Sequence, residues 1–292
     1  MIKNIAVWAL AVLLALAAMV YQRSTGPTYE YKGQIAHAGE NHKYELLRSQ
    51  ETTEGAKIEL PYVNDAGYSA TLHFKRYQTK DSVTTKAFYL DQNNQFIAQL
   101  PVQPAAGKME YFITGSIDGQ AFTIPENRAD KIVLRYKDPV SDYILVPHVL
   151  MMILAIVFGV RAGLSAIIDD GRMRKWTLAA FSAMTIGGMI LGPLVQKSAF
   201  GEYWTGFPYG GDFTDNKMLI MWLAWAFALT IIGFKRKKKE TISRSSVSLA
   251  AIVMIVVYLI PHSLGGSTLD YDKVDQGIDP KEAIRTGAEK DS

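Results

Sequence analysis

Five long apolar runs constrain this chain more than any other feature of its sequence. They are residues 5–20, 143–160, 176–195, 218–234 and 247–261. Each has about 15–20 residues, close to the roughly 20 that a helix needs to cross the hydrocarbon core of a bilayer. The pattern excludes a simple cytosolic enzyme and predicts a multi-pass membrane protein. Residues 1–22 are predicted to be an N-terminal membrane anchor or an uncleaved signal.

The charges between these runs predict the orientation of the chain. The connection after the second run is basic, as is the segment at 235–239, which contains only lysine and arginine. The loop at 196–216 has one basic residue, Lys197, and three acidic ones. Because basic connections stay in the cytoplasm, we expect a bacterial inner-membrane protein with its N-terminus inside and its C-terminus outside.

Composition narrows the function further. The chain has no cysteine and a formal net charge of +3 over 292 residues. The absence of cysteine excludes disulfides, thiolate metal sites and covalent c-type haem attachment. The small net charge gives no reason to expect a nucleic-acid partner. The four later runs contain no Asp, Glu, Lys or Arg. A transporter or ion pump is therefore disfavoured, since such proteins carry charged groups along their pathway.

Residues 28–138 are polar and alternate in hydropathy, as in the segment at 70–77. Period-two alternation with turn signals such as Asp118-Gly119 is typical of strands. We therefore predict an extracytoplasmic all-β sandwich of immunoglobulin or fibronectin-III type, which would bind a partner protein. Its histidines, His37, His42 and His73, lack ligand spacing and are interpreted as exposed or strand-face residues.

The predicted architecture is thus a membrane α-helical bundle, four helices plus the N-terminal anchor, joined to that sandwich. The four-helix transmembrane domain covers residues 143–263 and contains the outer loop at 196–216. Residues 264–292 are expected to form a polar C-terminal tail outside. Membrane lipid is the expected surrounding of the helices.

Two Pro-His pairs flank the outer loop and suggest a cofactor. His148 follows Pro147 near the outer end of one run, and His262 follows Pro261 at the outer end of another. The loop between them carries six aromatic residues. Two imidazoles can take the axial positions of a haem iron while rings enclose the macrocycle.

Three further loop residues would complete such a site. Lys217, like Lys197, could bind a haem propionate. Asp212 or Asp215 could accept the second ring proton of a ligand histidine. Each also has a structural interpretation, since Asp215 stands where a helix N-cap is expected. Trp204 could be an interfacial anchor.

Residues 201–225 (GEYWTGFPYGGDFTDNKMLIMWLAW) resemble the tryptophan-rich WWD loop and following helix of the haem-handling proteins of cytochrome c biogenesis. The resemblance implies haem presented at the outer membrane surface, with Trp204 and Asp212 matching the Trp and Asp of the loop. It also implies that His148 and His262 are the flanking iron ligands.

Three hypotheses follow. The first is a haem-binding membrane protein, not expected to be an enzyme, that serves respiratory or cytochrome assembly or electron transfer. The second is a cofactor-free envelope scaffold whose β domain binds a partner protein. The third is a divalent-metal enzyme using His148, His262, Asp212 and Asp215, which no spacing motif supports.

Overall fold

The computed structural model describes residues 2–63, 67–127, 129–234, 240–261 and 265–285. The chain divides into two compact units. A helical unit comprises Met1–Pro27, Val140–Gly266 and Thr286–Ser292, and a β unit comprises Thr28–Pro139 and Ser267–Arg285. The β unit therefore contains two stretches of sequence separated by most of the helical unit.

The helical unit contains long helices rich in apolar residues. They are α1 (Ile2–Ser24), α2 (Asp142–Ile168), α3 (Met173–Met184), a π-helical segment (Thr185–Leu191), α4 (Gly192–Phe200), α5 (Phe213–Ile232) and α6 (Thr241–Leu259). The stretch from α3 to α4 runs as one helix, Met173–Phe200. Within the described residues, five helices are long and apolar enough to cross a membrane. The prediction of a multi-pass membrane protein is confirmed at this level.

Small residues let these helices pack closely. A Cβ added to Gly159 of α2 would lie 2.5 Å from the Met254 Sδ of α6, and one added to Gly163 would lie 2.7 Å from the Ala251 Cβ. The later position on α2 thus faces the earlier position on α6, so the two helices run antiparallel. Ala11 of α1 is fully buried in the same core. Close backbone approach at small residues is how membrane helices gain packing energy without a hydrophobic driving force.

Arg161 directly follows the second apolar run, yet it lies inside α2. It is fully buried and donates hydrogen bonds to Ser165, to Asp170 (2.7 Å) and to Asn4 of α1 (3.1 Å). Its guanidinium also lies 5.9 Å from the ring centroid of Trp176. The helix continues beyond its apolar stretch because these groups bind the charged side chain of Arg161, which follows that stretch.

Two more arginines at this end of the unit bind the ends of helices. Arg174 pairs with Glu240 at 2.9 Å and donates to the carbonyl of Ile232, the last residue of α5. Arg244 donates to the carbonyls of Ala166 and Ile167 at the end of α2. Cations at helix C-termini satisfy unpaired carbonyls and favour the helix dipole.

The β unit is built from short strands. They are β1 (Tyr31–His37), β2 (Glu40–Leu46), β3 (Ser49–Glu51), β4 (Lys57–Leu60), β5 (Ser69–Arg76), β6 (Thr84–Ala87), β7 (Tyr89–Leu90), β8 (Phe96–Gln99), β9 (Lys108–Ile117), β10 (Gln120–Ile124), β11 (Ile132–Lys137), β12 (Thr268–Leu269) and β13 (Ile284–Arg285). A short helix, α7 (Tyr271–Asp275), lies between the last two strands. Alternating buried residues of β5 and β9, including Leu72 and Tyr111, form the core.

The predicted fold class is wrong. The β unit is a group of small sheets: the β1–β2 hairpin, a mixed sheet in the order β3-β11-β9-β5-β6 with β10 beside β9, a β4-β8-β7 sheet and a β12–β13 pair. Strand β3 runs parallel to β11, with Arg135 opposite Ser49. An immunoglobulin or fibronectin-III sandwich consists of two antiparallel sheets. Alternation revealed that strands exist but not how they pair, and it missed the helix α7.

Residues 267–285, expected to belong to a polar tail, fold with residues 28–139. The Tyr271 hydroxyl accepts from the Lys108 amide at 3.0 Å and donates to its carbonyl at 3.1 Å. Arg76 of β5 makes two hydrogen bonds to Asp275, at 2.7 and 2.8 Å. The chain thus leaves the β unit, passes through four candidate spans and returns to it. An even number of crossings brings a chain back to the side on which it started.

Candidate functional site

The candidate site is built around the segment of residues 196–216, which comprises the end of α4, the connection at 201–212 and the start of α5. We call it the aromatic loop. Asp215 lies in the first turn of α5 and is only 7% exposed. Its Oδ2 accepts from the amides of Thr205 (2.6 Å) and Gly206 (3.0 Å) and lies 3.3 Å from the Thr205 hydroxyl. Gly206 is required there, because a Cβ would lie 2.6 Å from the Asp215 Cβ. One carboxylate thus fastens the middle of the loop to the helix that follows.

The neighbours of Asp215 extend the same arrangement. Asp212 is the N-cap of α5, and its side chain accepts from the amides of Thr214 and Asp215. Asn216 Oδ1 accepts from the Phe207 amide at 2.7 Å. These oxygens satisfy amides that a helix start or an irregular loop would otherwise leave unpaired. The sequence analysis assigned the N-cap role to Asp215, but the structure gives it to Asp212.

The rings of the loop divide into two sets. Trp204 is partly buried, and its Nε1 donates to the Phe207 carbonyl at 3.0 Å. Phe207, Tyr209 and Phe213 are exposed, with 81% of Tyr209 accessible. The loop therefore presents rings on a backbone that its own polar side chains hold in place.

Lys217 is buried near the start of α5, 6% exposed, and its Nζ donates to the carbonyl of Ile260. Ile260 is the C-cap of α6. The lysine thus ties the start of α5 to the end of α6, two residues before His262. His262 itself lies outside the described residues, as does the basic segment at 235–239.

His148 lies in the second turn of α2 and contacts the π-helical segment. Its Nδ1 is 2.9 Å from the carbonyl oxygen of Gly187. That carbonyl also accepts the amide of Gly192. A carbonyl has two lone pairs and can only accept, so Nδ1 carries the proton and, in the neutral ring, Nε2 keeps a lone pair. The imidazole is held in the tautomer that a metal ligand through Nε2 requires.

The π-helical segment is the part of the site that the sequence analysis missed. Pro193 has no amide hydrogen and would clash with the carbonyl four residues earlier in a regular helix, and a widened turn relieves that conflict. Glycines permit the close approach of other helices, since a Cβ at Gly188 would lie 2.1 Å from the Met218 Sδ. Thr185 in the same segment accepts from Trp222 Nε1 at 2.9 Å. The sequence signal that could have indicated it is Gly187-Gly188 followed by Pro193.

The structure brings some of the predicted site residues close together but gives them different hydrogen-bond partners. Asp212 binds amides of α5 and Asp215 binds amides of the loop, whereas His148 contacts the carbonyl of Gly187. Among the residues that the structure describes, no group of three or more His, Cys, Asp or Glu side chains is placed to hold a metal ion. The arrangement thus offers a single oriented imidazole beside a structured aromatic loop.

Comparisons with known proteins do not assign the chain to a family. No family model matches the chain, and no curated protein is significantly similar to it. The function is therefore argued from the residues alone.

Proposed function

We propose that this chain is a haem-binding protein of the bacterial inner membrane, in which His148 binds the iron near the outer face. Its role would lie in respiratory or cytochrome assembly or in electron transfer, and haem, when bound, would supply one-electron chemistry. The observation that carries the proposal is the hydrogen bond from His148 Nδ1 to the Gly187 carbonyl.

This contact fits a haem ligand for a specific reason. A histidine that binds iron through Nε2 usually donates its other ring N–H to a carbonyl or carboxylate, which sets the ring orientation and raises its basicity. Gly187 supplies that acceptor from the π-helical segment. A histidine at membrane depth is a functional candidate by default, because burying an ionisable group in lipid is costly.

The second ligand in this proposal is His262. Helices α2 and α6 run antiparallel, so the start of α2, with His148, lies at the same end of the unit as the end of α6. Lys217 binds the α6 C-cap at that end and is the buried cation nearest in sequence to the loop acids. It would bind a haem propionate in exchange for its carbonyl partner.

The loop residues have a different task in this proposal. Asp212 and Asp215 hold the backbone of the aromatic loop, so they shape the surface on which Trp204 and the exposed rings lie. They act as positioning residues for the cofactor surface rather than as partners of a ligand histidine. This revises the role inferred for them from the sequence.

The orientation belongs to the same proposal. Arg172, Arg174 and Lys175 gather at the end of the unit opposite His148, together with Arg244. By the positive-inside rule this end faces the cytoplasm, and the aromatic loop, the β unit and its C-terminal stretch face outside. There the β unit would bind a protein partner.

The test is the absorption spectrum of the full chain, purified from haem-replete cells in detergent without a polyhistidine tag. We expect a Soret band and, after reduction, the sharp α band of a low-spin bis-imidazole haem. His148→Ala should lose most of the bound haem, since it removes an iron ligand. The matched control is His73→Gln, which changes a histidine of the β unit and should keep the full haem content.

Two results would reject the haem site: a colourless wild-type protein even after haemin is added, or equal haem content in His148→Ala and wild type. Lys217→Met separates the parts of the site. It should weaken haem binding while the low-spin spectrum persists, because it removes a propionate partner and leaves the iron ligands.

A cofactor-free envelope scaffold is the second candidate, and one observation favours it. The polar groups of the aromatic loop, notably Asp215 and Asn216, are used in holding the loop itself. A loop of that kind suffices to present rings to lipid or to a protein. A colourless preparation that co-purifies with one envelope protein, and loses it when Tyr209 and Phe207 are both changed to Ser, would favour the scaffold.

A further inference from the structure

The tip of the β1–β2 hairpin brings two histidines to one face. The hairpin closes through Ala38 and Gly39, whose positive φ values of 51° and 84° are those of a tight two-residue turn. Ile35 is paired with His42 and His37 with Glu40. Since residues opposite each other, and residues two apart on one strand, share a face of a sheet, His37 and His42 project to the same side.

The two imidazoles lie close together, and their ring nitrogens have few contacts. Their ring centroids lie 6.3 Å apart, and the His37 side chain is only 14% exposed. His37 Nδ1 lies 3.1 Å from Asp118 Oδ2. Within the part of the chain that the structure describes, neither ring makes a hydrogen bond.

Asp118 lies beside the ring of His37. It lies in the Asp118-Gly119 turn between β9 and β10, where both residues again have positive φ. The distance of 3.1 Å puts a carboxylate acceptor within reach of a protonated Nδ1, the form of the neutral ring in which Nε2 keeps its lone pair. A carboxylate behind a histidine in this way is the usual outer partner of a metal-binding imidazole.

We propose that His37 and His42 bind a late first-row divalent cation, Zn²⁺ or Cu²⁺, with Asp118 as the positioning carboxylate of His37. Imidazole is a preferred ligand of these ions, with a metal–nitrogen distance of about 2.0–2.1 Å. That distance puts the ring centroids of a tetrahedral pair roughly 5 Å apart. Side-chain rotations that bring the two ring centroids about 1 Å closer therefore close the site at the hairpin tip. Solvent completes the coordination shell. Two protein ligands predict a modest affinity.

The experiment is a competition between the full, tag-free chain in detergent and a chromogenic zinc chelator, with ZnCl₂ as the only added metal. We expect one zinc per chain, lost in His37→Ala and in His42→Ala. Asp118→Asn should weaken binding roughly 10–100-fold, as loss of an outer partner does. His73→Gln, a histidine on another face of the β unit, and His148→Ala in the helical unit should bind as the wild type does.

Electron paramagnetic resonance of the wild-type protein with one equivalent of Cu²⁺ gives a test that does not depend on the variants folding. Two coupled imidazole nitrogens support the site. No nitrogen coupling, no zinc competition by the wild type, or zinc binding that His37→Ala and His42→Ala both leave unchanged would each overturn it. The haem hypothesis is unaffected by any of these results, because its readout is the visible spectrum.

Discussion

Asp215→Ala should release the middle of the aromatic loop while the helices stay folded. The substitution removes the oxygen that accepts the amides of Thr205 and Gly206, at 2.6 and 3.0 Å. Both residues are buried, and leaving buried donors without an acceptor costs about 1–3 kcal/mol. Since each 1.4 kcal/mol is a factor of ten, the open state of the loop should become about 5- to 150-fold more populated.

Amide hydrogen exchange with mass spectrometry measures this directly, on a peptide that covers residues 204–207. Exchange there should rise by that factor in Asp215→Ala and by less in Asp215→Asn, whose amide oxygen can still accept. Exchange in α2 should not change. The internal comparison is Asn216→Ala, which removes the acceptor of the Phe207 amide and should expose that amide alone. If exchange of 204–207 in Asp215→Ala stays within about twofold of wild type, the carboxylate does not hold the loop.

Three further predictions concern other contacts. Arg76→Gln should loosen residues 267–285, seen as faster proteolysis of that segment, and unchanged cleavage would show that the pairing with Asp275 is dispensable. The hydrogen bonds from Arg76 hold the pKa of Asp275 below its ordinary 3.8; the stabilisation is therefore complete above that pH and is lost as the pH falls below it, so acid should release the same segment in wild type and change Arg76→Gln little. Arg161→Ala should cost up to about 3–5 kcal/mol of stability, because it removes the fully buried cation that binds the partly exposed Asp170; the thermal unfolding midpoint in detergent should fall, and a midpoint equal to wild type would refute this. Gly159→Ala should cost about 1–3 kcal/mol through overpacking against Met254, measured in the same way.

The membrane helices were predictable because their signal is local and long. Apolar runs revealed all five candidate spans, and the structure extends them into polar flanks. Arg161 shows where this reasoning stops. A charged residue normally marks the end of a span, yet Arg161 lies inside the helix, where Ser165 and Asp170 bind its guanidinium. No local sequence pattern indicates partners that only tertiary packing brings together.

The β unit and the candidate site were less predictable for the same reason. Alternation locates strands such as β5 and β9, but the parallel pairing of β3 with β11 joins residues far apart in sequence. His148 is a candidate from its sequence position alone, whereas its partner Gly187 depends on a π-helical turn. Likewise His37 and His42 are interpreted from the sequence as exposed polar residues. No sequence pattern shows that Asp118, in the turn between β9 and β10, lies beside His37.

The return of residues 267–285 to the β unit has a consequence for biogenesis. Tyr271 inserts its hydroxyl between the backbone groups of Lys108, more than 160 positions earlier in the chain. During synthesis, the first stretch of the unit must wait until four helices have been made and inserted before its last piece exists. A chain that ends before residue 267 lacks the Tyr271 hydroxyl that pairs with both backbone groups of Lys108 at the start of β9. Folding of the β unit is therefore completed only after the whole helical section has been synthesised.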